Sequence, residues 1–120
     1  MREWNPASIE QAIYEASQRI STGVMKADTA FRAFQRADHD FDIAEAKAYL
    51  ALNGMPVHAR KFEVTLNEDV QAARDARDVA EAAYKLMDRN MKAIQGELDA
   101  LRSIGTSVRQ AYATAGIGER

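Results

Sequence analysis

Between Leu66 and Ala115 the chain repeats one spacing of apolar positions. Leu66, Ala73, Ala80, Met87, Ile94, Leu101, Val108 and Ala115 share one register, and Val70, Arg77, Tyr84, Met91, Leu98, Gly105 and Tyr112 fall between them. Steps that alternate three and four place all of these on one narrow stripe of an α-helix, and other helices must cover such a stripe. At ~1.5 Å per residue, ~50 residues make a rod of ~75 Å, longer than a compact domain of this size covers alone. The seam therefore predicts assembly.

An earlier stripe runs Ile9, Ile13, Ala16, Ile20, Val24, Ala27, Phe31, Phe34, Phe41, Ala48 and Leu52, again at helical spacing. Asn5-Pro6 is a helix start: the Asn side chain can accept from free backbone N–H groups, and proline has no N–H to lose. The stripe crosses Ser21-Thr22-Gly23 in phase, which predicts at most a kink there. Asn53-Gly54-Met55-Pro56 is a stop, with glycine suited to a left-handed cap and proline blocking continuation. From Val57 to Leu66 the pattern is mixed. Phe62, Val64 and Leu66 alternate as in a strand, while Thr65-Leu66-Asn67-Glu68 resembles a capping box. We read this stretch as the irregular first part of a second helix that ends near Ala115, before Gly116-Ile117-Gly118. The expected architecture is one all-α domain over 1–120: helix 6–52, turn 53–56, helix 57–115. It forms an elongated antiparallel hairpin with a coiled-coil-like seam, and it is oligomeric because a lone hairpin has little interior.

Two seam positions are irregular. The stem of Arg77 can lie along the seam while its guanidinium reaches water or an acid such as Asp78 or Glu81. Gly105 weakens the helix but permits close approach of another backbone.

With 120 residues, 47% hydrophobic and 28% charged, the chain reads as folded and soluble. It has no Cys, hence neither disulfides nor a thiolate nucleophile. No segment approaches the ~20 apolar residues of a membrane span. Met1 to Ala12 lacks the regions of a signal peptide, so the cytoplasm is the expected compartment. A net charge of -2 argues against coating duplex DNA by bulk charge.

Nothing in the pattern points to an enzyme, a cofactor or a metal. Asp38-His39-Asp40 and Asp42 are too close in sequence to converge from one helix on one ion, and read as a solvated acidic face. His58 has no local carboxylate before Glu63, and no Gly-rich phosphate loop links a strand to a helix.

The basic residues are better placed. Lys47 precedes the turn, His58, Arg60 and Lys61 follow it, and Tyr49 and Phe62 are interleaved with them. Charge for the backbone and flat faces for unstacked bases are what single-stranded nucleic acid requires, and an oligomer multiplies a weak site. The plainer alternative makes Tyr49 and Phe62 core and the cations solubilising. Lys85, Arg89 and Lys92 form a second strip beside the seam, expected to bridge to the partner helix. Arg19, Lys26, Arg32 and Arg36 outnumber Asp28 but spread around the first helix. Asp38, Asp40, Asp42 and Glu45 form an acidic block that would repel phosphate and attract a basic protein.

The run Glu97-Leu98-Asp99-Ala100-Leu101-Arg102-Ser103-Ile104-Gly105 resembles the C-terminal segment of the UvsY-type recombination mediators of T-even phages. That family carries a Leu-Asp-Ala-aliphatic-basic-Ser-x-Gly run there. The upstream order is similar as well: a long Ala-rich and basic helix, a Tyr49-Leu50 helix end, a turn at Gly54 and a Glu63-Val64-Thr65-Leu66 return. The similarity spans roughly Ala30 to Gly116 and is close from Leu98 to Gly105. It implies a small, helical, ring-forming protein that binds single-stranded DNA and helps a RecA-type recombinase displace the single-strand-binding protein. In the family, cations just before the Tyr-containing helix end contact DNA. Lys47 is the one that carries over, Ala44 and Ala46 standing where the family has others, with Arg60 and Lys61 across the turn as substitutes. The family's C-terminal region holds the oligomer together, a role that Ile94, Leu98, Leu101, Gly105, Val108 and Tyr112 would take here.

Sequence reasoning thus expects a non-catalytic recombination mediator or accessory single-stranded-DNA-binding protein, working as a homo-oligomer without cofactor or membrane. Its DNA-binding residues would be Lys47, Tyr49, His58, Arg60, Lys61 and Phe62. The alternatives are a helical adaptor or inhibitor of another protein, or a structural coiled-coil component.

Overall fold

The computed structural model describes residues 3–118, and among them there are three α-helices and no strand: α1 (Pro6–Ala51), α2 (Val57–Leu66) and α3 (Glu68–Gly118). Positions 1–2 and 119–120 of the expected 1–120 domain lie outside the described residues. No helix among the described residues is long and apolar enough to cross a membrane.

The helix ends follow from their caps. Before α1, the Ser8 N–H donates to Asn5 Oδ1 and the Asn5 N–H donates to Ser8 Oγ, both at 2.9 Å, so two backbone donors are satisfied reciprocally. After α1, the N–H of Leu52 donates to the carbonyl of Tyr49 and that of Met55 to Leu52, while Gly54 takes φ 98°, a left-handed value that favours glycine.

The return is not one helix. At Asn67 the backbone turns extended (φ -64°, ψ 129°), and its Oδ1 accepts from the N–H groups of Asp69 (2.9 Å) and Val70 (3.1 Å). Asn67 is therefore the N-cap of α3, and Glu68 and Asp69 set negative charge on the helix's positive end. The Thr65 hydroxyl, expected to cap, instead donates to the Lys61 carbonyl within α2. The strand-like alternation of Phe62, Val64 and Leu66 has a helical cause: α2 buries Val64 and leaves Phe62 and Leu66 exposed. Leu66 thus falls out of the seam.

Packing divides the described chain into two compact units, one of residues 3–25 with 88–118, the other Lys26–Met87. In the first, Ile9, Ala12, Ala16, Leu98 and Leu101 form the core, with Trp4, Ile13, Ile20 and Ile104 against it. Arg19 Nη1 meets both oxygens of Glu97, at 3.0 and 3.1 Å. Both side chains are half exposed, so this pair orients more than it stabilises. Gly23 sits against Met91, and Gly105 against Ile9 and Ile13. The α1 and α3 segments of this unit therefore run antiparallel.

In the second unit, Phe41, Ala48, Val64 and Val70 are the core, with Ala44, Tyr49, Leu52 and Ala73 around it. Tyr84 packs on Phe31 and Phe34, with ring centroids 5.0 and 6.2 Å apart. Arg77 lies along the seam as its stem allows: the guanidinium covers the Phe41 ring at 4.4 Å and reaches Asp78 at 3.3 Å.

In both units α3's seam residues pack on α1, so α1 of the same chain meets the apolar demand that had pointed to other copies. On α1 the buried positions are largely small: Ala12, Ala16 and Ala48 are buried, and Gly23, Ala27, Ala30, Ala37 and Ala44 half-buried. Val24, expected in the stripe, is 54% exposed because Gly23 and Ala27 take its place.

Candidate nucleic-acid interface

All six residues expected to contact nucleic acid lie around the turn in the second unit, but the fold does not gather them on one surface. Pro56, locked at φ -57°, precedes α2, and its carbonyl accepts the Arg60 N–H at 2.9 Å. This sets Arg60 over the turn. Its Nη2 donates to the Met55 carbonyl at 3.0 Å, and its guanidinium stacks 4.5 Å from the centre of the Tyr49 ring. Its Nε is buried with no partner. Arg60 is thus committed to the turn: it satisfies the turn's Met55 carbonyl, and it occupies one face of the ring a base would use.

The rest divide into three places. Tyr49 and Lys61 meet in a groove of ≈ 470 Å³ shared with Glu45, Ala46, Val64 and Thr65. Lys47, two residues from Tyr49 and so on another side of α1, opens on a separate groove of ≈ 380 Å³. There Asp40 and Asp69 stand beside an apolar floor of Ile43, Ala44, Ala48 and Ala51. His58 and Phe62, one helical turn apart on α2, are exposed, Phe62 at 72%. Lys61 and Lys47 are exposed too, and among the described residues neither forms an ion pair. The carboxylates lining both grooves oppose phosphate there, whereas the α2 face of His58 and Phe62 lacks such a neighbour on its own i±4 positions.

Sequence reasoning missed the apolar company of Phe62. Leu66, one turn further on α2, is 65% exposed, and Leu50 and Val57 on either side of the turn are 72% and 57% exposed. The signal was available in the i, i+4 spacing of Phe62 and Leu66, which the strand-like reading obscured.

Of the residues assigned to assembly, Leu98 and Leu101 are core of the first unit, Gly105 is buried, Ile94 and Val108 are half-buried, and Tyr112 is exposed. The Leu98 to Gly105 run is therefore the part of α3 that seats α1. The second basic strip pairs along its own helix, Lys85 with Glu81 and Lys92 with Asp88, and not across to α1. The acidic block stays exposed at Asp38, Asp40 and Asp42. Among the described residues no group of His, Asp and Glu is placed to hold a metal ion.

No protein-family model matches the chain, and neither a curated protein nor a solved structure matches it.

Proposed function

We propose that this chain is a non-catalytic accessory protein that binds single-stranded DNA, a recombination mediator working as a homo-oligomer beside a RecA-type recombinase and a single-strand-binding protein. One observation carries the reading: Phe62 stands open on α2, 72% exposed, with exposed His58 one turn before it and exposed Lys61 next to it in the chain. An exposed aromatic ring with a lysine nearby offers a stacking face and a phosphate contact together, and stacking is worth ~1–3 kcal/mol per base. The similarity of Leu98 to Gly105 to the UvsY-type segment adds the recombination context.

The test is binding of a labelled single-stranded oligonucleotide across a salt series. Phe62→Ala is expected to weaken binding with an unchanged salt slope, since it removes stacking and no charge. Lys61→Ala is expected to flatten the slope by ~0.7. Absence of binding even at low salt by the folded protein refutes the proposal.

A second reading, a helical adaptor or inhibitor of another protein, draws on the apolar residues around Phe62, namely Leu50, Val57 and Leu66. Pull-down from a bacterial lysate with and without nuclease separates the two: capture that survives nuclease and is lost in Leu66→Glu favours the adaptor.

A further inference from the structure

The groove of ≈ 470 Å³ beside Tyr49 holds more than a carboxylate that opposes phosphate. Its volume is that of a small-molecule site, roughly 300–1,000 Å³. Glu45, Ala46 and Tyr49 come from α1, and Lys61, Val64 and Thr65 from α2. Arg60 covers a face of the Tyr49 ring but is no part of the groove's wall. The polar groups of that wall are of two kinds. Glu45 offers only acceptors, and the Thr65 hydroxyl, whose proton goes to the Lys61 carbonyl at 3.1 Å, is left as an acceptor too. Lys61 offers only donors and a positive charge. Glu45 and Lys61 share the groove without pairing, and among the described residues neither forms an ion pair.

An occupant that satisfies both must bring N–H donors to one and an anion to the other, on a body that suits Ala46, Val64 and the Tyr49 ring. A basic protein side chain suits Glu45 but is repelled by Lys61, and a bare phosphate meets the reverse conflict. A nucleotide whose base carries an amine brings the donors, the anion and a flat ring together. We propose that this groove takes one unstacked base of single-stranded DNA and selects bases with an exocyclic amine, namely cytosine, adenine and guanine, over thymine. Glu45 accepts from the amine, the pairing by which carboxylates read cytosine. Thymine puts a carbonyl oxygen where cytosine has its amine, so two acceptors would face each other. Lys61 takes the phosphate at the rim, and as the chain neighbour of Phe62 it joins the groove to the open α2 face. This rests on the reading that the chain binds single-stranded DNA, and adds a base preference to it.

The test compares affinity for oligo(dC) and oligo(dU) of equal length at one salt concentration. The two strands carry the same phosphates and differ at the base edge, amine against carbonyl. The wild-type chain is expected to bind oligo(dC) about tenfold more tightly. Glu45→Gln supplies an amide that donates as well as accepts, and it breaks no ion pair, so the helical circular-dichroism signal should be unchanged. It should bring the two affinities close together, chiefly by tightening oligo(dU). If Glu45 merely repels phosphate, Glu45→Gln tightens both strands equally and their ratio persists, which overturns base selection. Equal wild-type affinity for the two strands overturns it as well, and leaves DNA binding through Phe62 and Lys61 standing. Binding of neither strand by the folded protein at low salt overturns the DNA reading and this inference with it.

Discussion

Gly23 and Gly96 lie in long helices, and the same change at each should move stability in opposite directions. A Cβ added at Gly96 meets nothing within 4 Å, so Gly96→Ala keeps only the helix-propensity gain of ~1 kcal/mol. A Cβ at Gly23 would run into Met91 Sδ, while Met91 Cγ and Cε lie at ordinary contact, 3.6 and 3.7 Å. Met91 is 9% exposed and has little room to yield, so the overpacking costs about 2 kcal/mol. Against the propensity gain, Gly23→Ala should lose about 1 kcal/mol, or roughly 4 °C in Tm. Met91→Ala alone should cost about 2 kcal/mol. With that side chain gone, Ala at 23 should stabilise by ~1 kcal/mol, a coupling of about 2 kcal/mol between the two positions. Guanidinium denaturation of the four variants at one fixed protein concentration reads this directly, since self-association would otherwise shift midpoints. If Gly23→Ala stabilises as much as Gly96→Ala, or if the Gly23 and Met91 changes add, the close approach of α1 and α3 at this level is wrong.

Asn67→Ala removes an acceptor from two α3 N–H groups and should cost about 1 kcal/mol in the same denaturation assay; a loss below the error of the measurement would remove the cap from the account of the α2–α3 break. Arg60→Ala should lower stability by about 1–2 kcal/mol through the Tyr49 ring and the Met55 carbonyl and leave the DNA salt slope unchanged, whereas Lys61→Ala should do the reverse.

The helical class and the first helix's start were legible because they depend on local chemistry: Asn5 and Ser8 cap within four residues, and Gly54 turns the chain in place. The break at Asn67 was written just as locally. It was missed because Thr65 also fits a capping pattern and because Leu66 keeps the heptad count on paper. What decides is burial. Val64 is the α2 residue that enters the core, which fixes α2's rotation and puts Leu66 outside. No spacing rule ranks Val64 above Leu66, since both are apolar and only the packed helices distinguish them. Likewise, the apolar stripe of α1 passes over several of its small residues. Gly23, Ala30, Ala37 and Ala44 carry little hydrophobic signal, yet their half-buried places show how closely α3 lies.

The candidate site was legible as composition and not as arrangement. Sequence puts Lys47, Tyr49, Arg60 and Lys61 near one turn, but a helix separates Lys47 from Tyr49 by about 200°, and the turn's own free carbonyl claims Arg60. Cations near a helix end have first to serve that end, and the ones left for a ligand are those whose geometry cannot reach it. By that criterion Lys61 is available and Arg60 is not. The same logic governs the seam. An apolar stripe shows that something must cover it, but its own chain has first claim, and α1 meets seam residues from Val70 to Gly105. Among the described residues, the α2 face around Phe62 is a surface that those claims leave open to act on something else.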